Sequence, residues 1–192
     1  MKKIILIGGG GHCRSVIDVI EQSDKFSVYG IVDKKEFFGS NVLGYSVVGD
    51  DSNLPELAKE CAYAIITVGQ INSSELRVKL FNQALRAGFT LPSIVSPRAY
   101  VANSVKIGAG SIIMHDALVN TGASIGSNCI INSKSLIEHD STIENHCHIS
   151  TNVVVNGSTL VCSKTFIGSG SVTKEGIVIS KNSFIKAGSV VK

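Results

Sequence analysis

The chain has 192 residues, 18 of them Lys or Arg and 15 Asp or Glu, for a formal net charge of +3. That balance is too nearly neutral to argue for a nucleic-acid partner, and no segment reaches the roughly 18 to 20 consecutive apolar residues needed to insert across a membrane. The five cysteines, Cys13, Cys61, Cys129, Cys147 and Cys162, are odd in number and form no Cys-x-x-Cys pair, so they read as reduced thiols rather than as a disulfide frame.

Met1-Lys2-Lys3 and the short apolar run that follows end at Gly8-Gly9-Gly10-Gly11. The run lacks the long apolar stretch and small-residue cleavage site of a secretory signal, so the expectation is a first β-strand in a cytoplasmic protein. Tryptophan is absent and aromatic residues make up 6 %, yet hydrophobic residues reach 44 %. The core must therefore be aliphatic, a composition suited to strands stacked in a repetitive way.

Lys3 to Ile7 reads as a strand running into the four glycines, and His12 to Gln22 as a helix with Val16, Val19 and Ile20 at helical spacing. Phe26 to Val32 predicts a second strand ending at Asp33, and Ala62 to Val68 a later one ending at Gly69. Ser73 to Ala87 predicts a helix burying Leu76, Leu80, Phe81 and Leu85, with Gly88 as its C-terminal cap. Strands alternating with helices argue for a small parallel α/β domain of Rossmann-like type, over residues 1–92.

Beyond Pro92 the pattern changes. From Val95 to Val191 every sixth residue is Val or Ile, Thr173 alone excepted, and the position four further on is usually small, as at Ala99, Ser111, Ala117, Cys129, Ser141, Cys147 and Thr165. This is the hexapeptide signature of a parallel β-helix. Each hexapeptide supplies one short strand and one turn, and three close a triangular coil of about 18 residues, giving about five coils over residues 93–192. Known hexapeptide helices wind left-handed, against the usual crossover rule. Without long insertions, the flat faces are free to pack against copies of the chain.

The glycine run lies where a strand meets a helix, a place where backbone N–H groups and a helix N-terminus can hold a phosphate. Cys13 occupies the third glycine position of the full dinucleotide fingerprint, so a simple tight turn is the alternative. Asp33, at the end of the second strand, is placed to accept hydrogen bonds from a ribose or base edge. Four of the five histidines, His115, His139, His146 and His148, fall in the repeat, and His12 follows the glycines. His139 stands between Glu138 and Asp140; either carboxylate could hold the imidazole in the tautomer that leaves one nitrogen as a base, and a solvated turn histidine is the alternative. Cys129 or Cys147 could act as a nucleophile, but both occupy the small inward position, where a thiol packs as a small hydrophobe. His146-x-His148 could be a metal pair, if both lie on one face of a strand.

Taken together, these motifs resemble the bacterial sugar acetyltransferases that join a small Rossmann-like domain to a hexapeptide left-handed β-helix. That group holds both the sialic acid O-acetyltransferase (NeuD) type and the UDP-4-amino-sugar N-acetyltransferases of bacillosamine-type pathways. The resemblance covers nearly the whole chain and is carried by Ile7-Gly8-Gly9-Gly10-Gly11-His12, Ile31-Val32-Asp33, Thr67-Val68-Gly69, Ile94-Val95-Ser96-Pro97, Asn132-Ser133-Lys134-Ser135-Leu136-Ile137-Glu138-His139-Asp140 and His148-Ile149-Ser150.

The resemblance implies a cytoplasmic homotrimer that uses acetyl-CoA, without a metal, to acetylate a nucleotide-linked sugar for surface glycan biosynthesis. Carried over by position, His139 is the general base and Asp140 its orienting carboxylate. His148, Gly157, Ser169 and Ala187 lie along the acetyl-CoA groove, and Gly10, Gly11, His12, Asp33 and Gly69 surround the nucleotide part of the acceptor. Ser135 to His139 and Ser150 to Gly157 look most like the sialic acid type, whereas Asp140 and His148 match the amino-sugar type. N-acetylation of a nucleotide-linked 4-amino-4,6-dideoxy sugar is therefore the leading expectation, with sialic acid-type O-acetylation as the alternative and a non-catalytic nucleotide-sugar-binding protein as the distant one. The resembling proteins continue beyond the position of Lys192 through a proline and a Gly-x-Pro-Ala segment near the CoA tail, which this sequence does not contain.

Overall fold

A computed structural model describes residues 1–192. The apolar run Lys2–Ile7 (β1) is paired on one side with Phe26–Val32 (β2) and on the other with Tyr63–Ile66 (β5), both parallel to it. Beyond the two exposed lysines β1 is covered on both faces, so Ile4, Ile5, Leu6 and Ile7 are all buried and this part of the strand is continuously apolar instead of alternating. Asn41–Val42 (β3) and Tyr45–Gly49 (β4) extend the sheet, giving the order β3-β4-β2-β1-β5 with only the β3–β4 pair antiparallel.

Three helices accompany the sheet: Gly11–Glu21 (α1), Leu54–Glu60 (α2) and Glu75–Ala87 (α3). Leu54 and Leu57 of α2 join Leu80, Phe81 and Ala84 of α3 over Ile5, Ile7 and Ile66. The buried face of α3 differs from the expected one. Leu76 and Leu85 are 53 % and 46 % exposed, whereas Arg77, Leu80, Phe81 and Ala84 are buried. Arg77 takes the inward place because its guanidinium Nη1 donates to the carbonyls of Ile66 (2.7 Å) and Val68 (2.8 Å), at and just beyond the last paired residue of β5. Gly88 ends the helix at φ +99°, a left-handed conformation open to a residue without Cβ.

The repeat half forms a left-handed parallel β-helix built of two-residue strands in three parallel sheets. Strands 94–95, 112–113, 130–131, 148–149, 166–167 and 184–185 form the first face; 100–101, 118–119, 136–137, 154–155, 172–173 and 190–191 the second; 106–107, 124–125, 142–143, 160–161 and 178–179 the third. Equivalent strands are thus 18 residues apart, one coil per three hexapeptides.

The inward column from Ile113 to Ile167 is buried throughout, with Thr173 and Ile179 continuing it. Val95, Val101, Ile107, Ile185 and Val191 are only partly buried, because the end coils have a stacking neighbour on one side. Between strands the chain turns at a left-handed residue. Every sixth position from 110 to 188 has positive φ, with glycine at 110, 122, 170, 176 and 188 and Asp, Asn, Lys, His or Ser at the other nine.

The chain divides into two compact units, residues 1–69 with 75–92 and residues 70–74 with 93–192. The segment 70–74 falls with the β-helix: Gln70 Nε2 donates to the His146 carbonyl at 2.8 Å, and His148 Nδ1 bonds to the Gln70 carbonyl. No helix is long and apolar enough to cross a membrane.

The stacked column sets a clear expectation for stability. Ile131→Ala, at a fully buried mid-column site, should cost about 2–5 kcal/mol in denaturant unfolding, and Val191→Ala in the half-exposed last coil less than half as much. Equal losses would mean that the column does not carry the stability of the helix.

Candidate active site

His139 and Asp140 stand at the corner that follows the strand Leu136–Ile137. Asp140 is one of the left-handed turn residues, with φ +60°, and its N–H donates to the carbonyl of Thr121 in the preceding coil at 3.1 Å. The His139 carbonyl accepts from Ser158 N in the following coil at 2.9 Å. The backbone is thus pinned from both sides while the side chains remain in solvent, 56 % exposed for His139 and 66 % for Asp140.

Of the two flanking carboxylates, Asp140 holds the ring, with Oδ2 2.9 Å from His139 Nδ1. Glu138 is engaged elsewhere and accepts from Asn120 Nδ2 at 2.8 Å and from the His139 backbone N–H at 3.2 Å. A carboxylate on Nδ1 favours the Nδ1–H tautomer, which leaves the Nε2 lone pair to accept a proton. The imidazole lies against Gly157, one coil further on: a Cβ built there would stand 2.7 Å from Nε2 and 2.8 Å from Cε1. Around the ring opens a cleft of about 600 Å³ lined by Glu138, His139, Asn156, Gly157, Ser158, Glu175 and Gly176.

The remaining residues expected in the β-helix gather at another corner. His148 lies on the strand His148–Ile149 and is buried, its Nδ1 on the Gln70 carbonyl, its Nε2 3.3 Å from Asn132 Nδ2 and its ring edge-on to Phe166. Ser150 Oγ bonds to Ser169 Oγ at 2.8 Å, and Ala187 stands one coil beyond Ser169 at the exposed edge of the same corner. His139, Asp140 and Gly157 are therefore brought together in one chain, and His148, Ser169 and Ala187 share a different corner. The second face, with its outward row Leu118, Leu136, Val154 and Val172, runs between the two.

In the N-terminal unit, Gly10 caps α1 with extended backbone and no side-chain hydrogen bond, and nothing lies within 4 Å of a Cβ built at Gly10 or Gly11. The helix N-terminus thus opens onto free space, where its N–H groups favour an anion. Asp33 Oδ2 accepts from Gly9 N at 2.7 Å and Oδ1 from Lys34 N at 2.8 Å, so its first task is to hold the glycine loop. Each oxygen retains a further lone pair for a ligand hydroxyl. Gly69 stands beside His12, whose Cβ lies 3.9 Å from the position a Gly69 Cβ would take. Thr67 Oγ1 donates to the Gly8 carbonyl at 2.6 Å and, with Arg77, fixes the two loops that leave the C-terminal ends of β1 and β5. Thr67 belongs to the Thr67-Val68-Gly69 motif, but the sequence pattern assigns no role to it or to Arg77, although Arg77 stands at i−3, i−4 and i−7 from Leu80, Phe81 and Ala84, a spacing that places it on their face.

Two other readings of the repeat meet physical obstacles. Cys129 and Cys147 are buried, and the Cys147 thiol is pushed far up by its hydrogen bond with Cys129 and by burial, which suppresses the thiolate that a nucleophile needs. His146 is a turn residue with φ +62° and not part of the strand that carries His148, so the two do not share a strand face. His146 Nδ1 meets Asn128 Nδ2 at 3.0 Å, and no group of three or more His, Cys, Asp or Glu converges as a metal site.

Comparison with known proteins places this geometry in context. Residues 3–84 match the family described as the PglD N-terminal domain, and residues 122–157 match the bacterial transferase hexapeptide family. A variant of perosamine N-acetyltransferase from Caulobacter crescentus, solved with CoA and GDP-perosamine, is 30 % identical with a TM-score of 0.93, covering 100 % of this chain and 89 % of that one. The acetyltransferase domain of PglB from Neisseria gonorrhoeae FA1090 is 26 % identical with a TM-score of 0.92, covering 100 % and 92 %. The same domain in complex with acetyl coenzyme A gives 25 %, 0.90, 99 % and 92 %. No curated protein sequence matches the chain.

The thiols allow a direct check. Desolvation raises Cys13 to about 11 and is the largest cause for Cys61 too, and Cys147 is raised as described; at pH 8 these groups hold little thiolate. An alkylating reagent should label half-buried Cys162 first, and the other four only as the protein unfolds. Labelling of Cys129 or Cys147 within minutes in the native protein would restore the nucleophile reading.

Proposed function

Because the chain belongs to the bacterial hexapeptide-repeat sugar acetyltransferases with a PglD-type N-terminal domain, we propose that it transfers the acetyl group of acetyl-CoA to the amine of a nucleotide-linked amino sugar of the 4-amino-4,6-dideoxy type. The observation that carries this reading is the His139–Asp140 pair, 2.9 Å apart and exposed on the wall of an open cleft.

The amine nitrogen attacks the thioester carbonyl, and His139 Nε2 takes the proton that the nitrogen must lose. Asp140 holds the imidazole through Nδ1–H and stabilises the imidazolium that forms. Collapse of the tetrahedral intermediate breaks the C–S bond, and the CoA sulfur leaves with the proton that His139 returns. No acyl-enzyme is required, which agrees with the burial of Cys129 and Cys147 and with the raised thiol of Cys147. Glu138, bonded to Asn120 and to the backbone, braces the corner without competing for the ring.

The nucleotide portion of the acceptor is assigned to the N-terminal unit. Its diphosphate would meet the open N-terminus of α1 at Gly10 and Gly11 beside His12 and Gly69, and Asp33 would accept from a ribose hydroxyl or a base edge. Acetyl-CoA is assigned to the corner of His148, Ser169 and Ala187, with Gly157 at its reactive end.

Within the β-helix, the His139–Asp140 corner and the His148–Ser169–Ala187 corner lie on either side of the second face, so a single chain does not unite them. The second face carries Leu118, Leu136, Val154 and Val172 outward, all half-buried, and ends in Tyr100 and Val190, 60 % and 69 % exposed. Three copies packed around a threefold axis along this face would bring the His139 corner of one against the His148 corner of the next, giving three shared clefts. A homotrimer with sites between copies is the assembly that the residue distribution supports.

The deciding assay is release of CoA thiol in the presence of UDP-, GDP- and dTDP-linked 4-amino sugars and CMP-sialic acid. Turnover with an amino sugar is expected; turnover with sialic acid alone would move the reading to O-acetylation. His139→Ala should lower kcat by about 10²–10⁴-fold while acetyl-CoA binding persists. Mixed trimers of inactive His139→Ala and His148→Ala chains should regain activity, because some mixed interfaces pair two intact histidines. Trimers that stay inactive after verified exchange would refute the shared site.

A further inference from the structure

Glycine at 122 is not demanded by the turn in which it stands. Nine of the equivalent left-handed positions carry a side chain, among them Asp116, Lys134 and Ser158. At Gly170, Gly176 and Gly188 a Cβ would meet nothing within 4 Å, so backbone preference accounts for glycine there. Gly122 differs: a Cβ would stand 2.3 Å from Asp140 Oδ1 and 3.3 Å from Asp140 Cγ. The carboxylate occupies the space that the missing methyl leaves.

Asp140 is 66 % exposed and can retreat only by turning its carboxylate away from His139. Its N–H is committed to the Thr121 carbonyl at 3.1 Å, its backbone holds φ +60°, and its other oxygen holds His139 Nδ1 at 2.9 Å. On the far side the imidazole is bounded by Gly157, where a Cβ would fall 2.7 Å from Nε2 although the backbone there does not require glycine. The pair is seated between two glycines, one coil before it and one coil after.

We infer that Gly122 is a positioning residue for the acetyl-transfer site: its lack of a Cβ lets Asp140 turn Oδ2 onto His139 Nδ1 and so fixes the tautomer that leaves Nε2 as the proton acceptor. The inference rests on the acetyltransferase reading above. A methyl at 122 would push the carboxylate off the ring, and a displaced orienting group lowers the chemical step without removing any contact to substrate.

The test is a double-mutant cycle with a spectroscopic readout. Gly122→Ala should lower kcat by about 10- to 100-fold with KM for acetyl-CoA and acceptor unchanged, and should have no further effect in an Asp140→Ala background. Gly110→Ala, also at a left-handed turn with φ +70°, serves as the control for backbone strain and should keep its kcat. Should Gly122→Ala fail to fold, Gly122→Asn places a Cβ at the same point in a residue type that the chain already uses at left-handed positions 128, 152 and 182. Nitrogen-15 spectra of the imidazoles should show His139 as the Nδ1–H tautomer in the parent chain, and a mixture of tautomers in the Gly122 variants.

Multiplicative losses in the cycle, a raised KM with intact kcat, or an unchanged His139 tautomer would each overturn the inference. A parent chain that acetylates none of the sugars, but whose His139 tautomer still responds to residue 122, would sink the acetyltransferase reading and leave the positioning role standing.

Discussion

The interaction on which everything else in the repeat half depends is the vertical stacking of residues 18 apart. Each coil places its β-branched residue on that of the coil before, from Ile113 through Ile131 and Ile149 to Ile167 on one face. Parallel strands must also lie about 4.8 Å apart to share their hydrogen bonds. That spacing leaves no freedom to slip: a one-residue shift would turn the inward column outward. The turns pay for this regularity with a left-handed residue at every sixth position, a conformation that costs about 1–2 kcal/mol for most L-residues and that the aligned column offsets.

The same stacking governs the surface chemistry. A side chain at a corner has as its nearest neighbours the residues one coil before and after, so whether it can adopt a catalytic pose depends on what those coils carry. His139 and Asp140 have room because Gly157 and Gly122 carry nothing. Along the inward side of the corners the polar groups are consumed in structure: Ser111, Ser141 and Ser171 hydroxyls donate to carbonyls of the same corner one coil on, and Cys129 and Cys147 lie buried in the column.

The N-terminal unit solves a different problem with different means. Its loops leave the ends of parallel strands, where the backbone ladder runs one residue further, through Gly8 N, Asp33 N and Thr67 N, and then stops. Arg77, brought in by a helix, bonds to the Ile66 and Val68 carbonyls; Thr67 bonds to the Gly8 carbonyl, and Asp33 to Gly9 N. Polar side chains thus take over where the strand ladder stops, holding the glycine loop with its amides and the α1 N-terminus open to solvent.

The hexapeptide repeat was legible in the sequence because its signal is periodic and local: a Val or Ile at every sixth position specifies strand, turn and inward direction without reference to anything distant. The glycine loop and the first strands were legible for the same reason, and His139 between two acids announced a candidate base. What lay beyond reach were relations between residues far apart in the chain. The choice of Asp140 over Glu138 depends on Asn120, 18 residues earlier, which engages Glu138. The burial of Arg77 in place of Leu76 and Leu85 depends on unpaired carbonyls in another element. The seat of the His139–Asp140 pair depends on Gly122 and Gly157 in adjoining coils. Periodicity determines which way a residue points, but only the folded structure decides what meets it there, because a contact is a property of two positions and the sequence pattern describes one at a time.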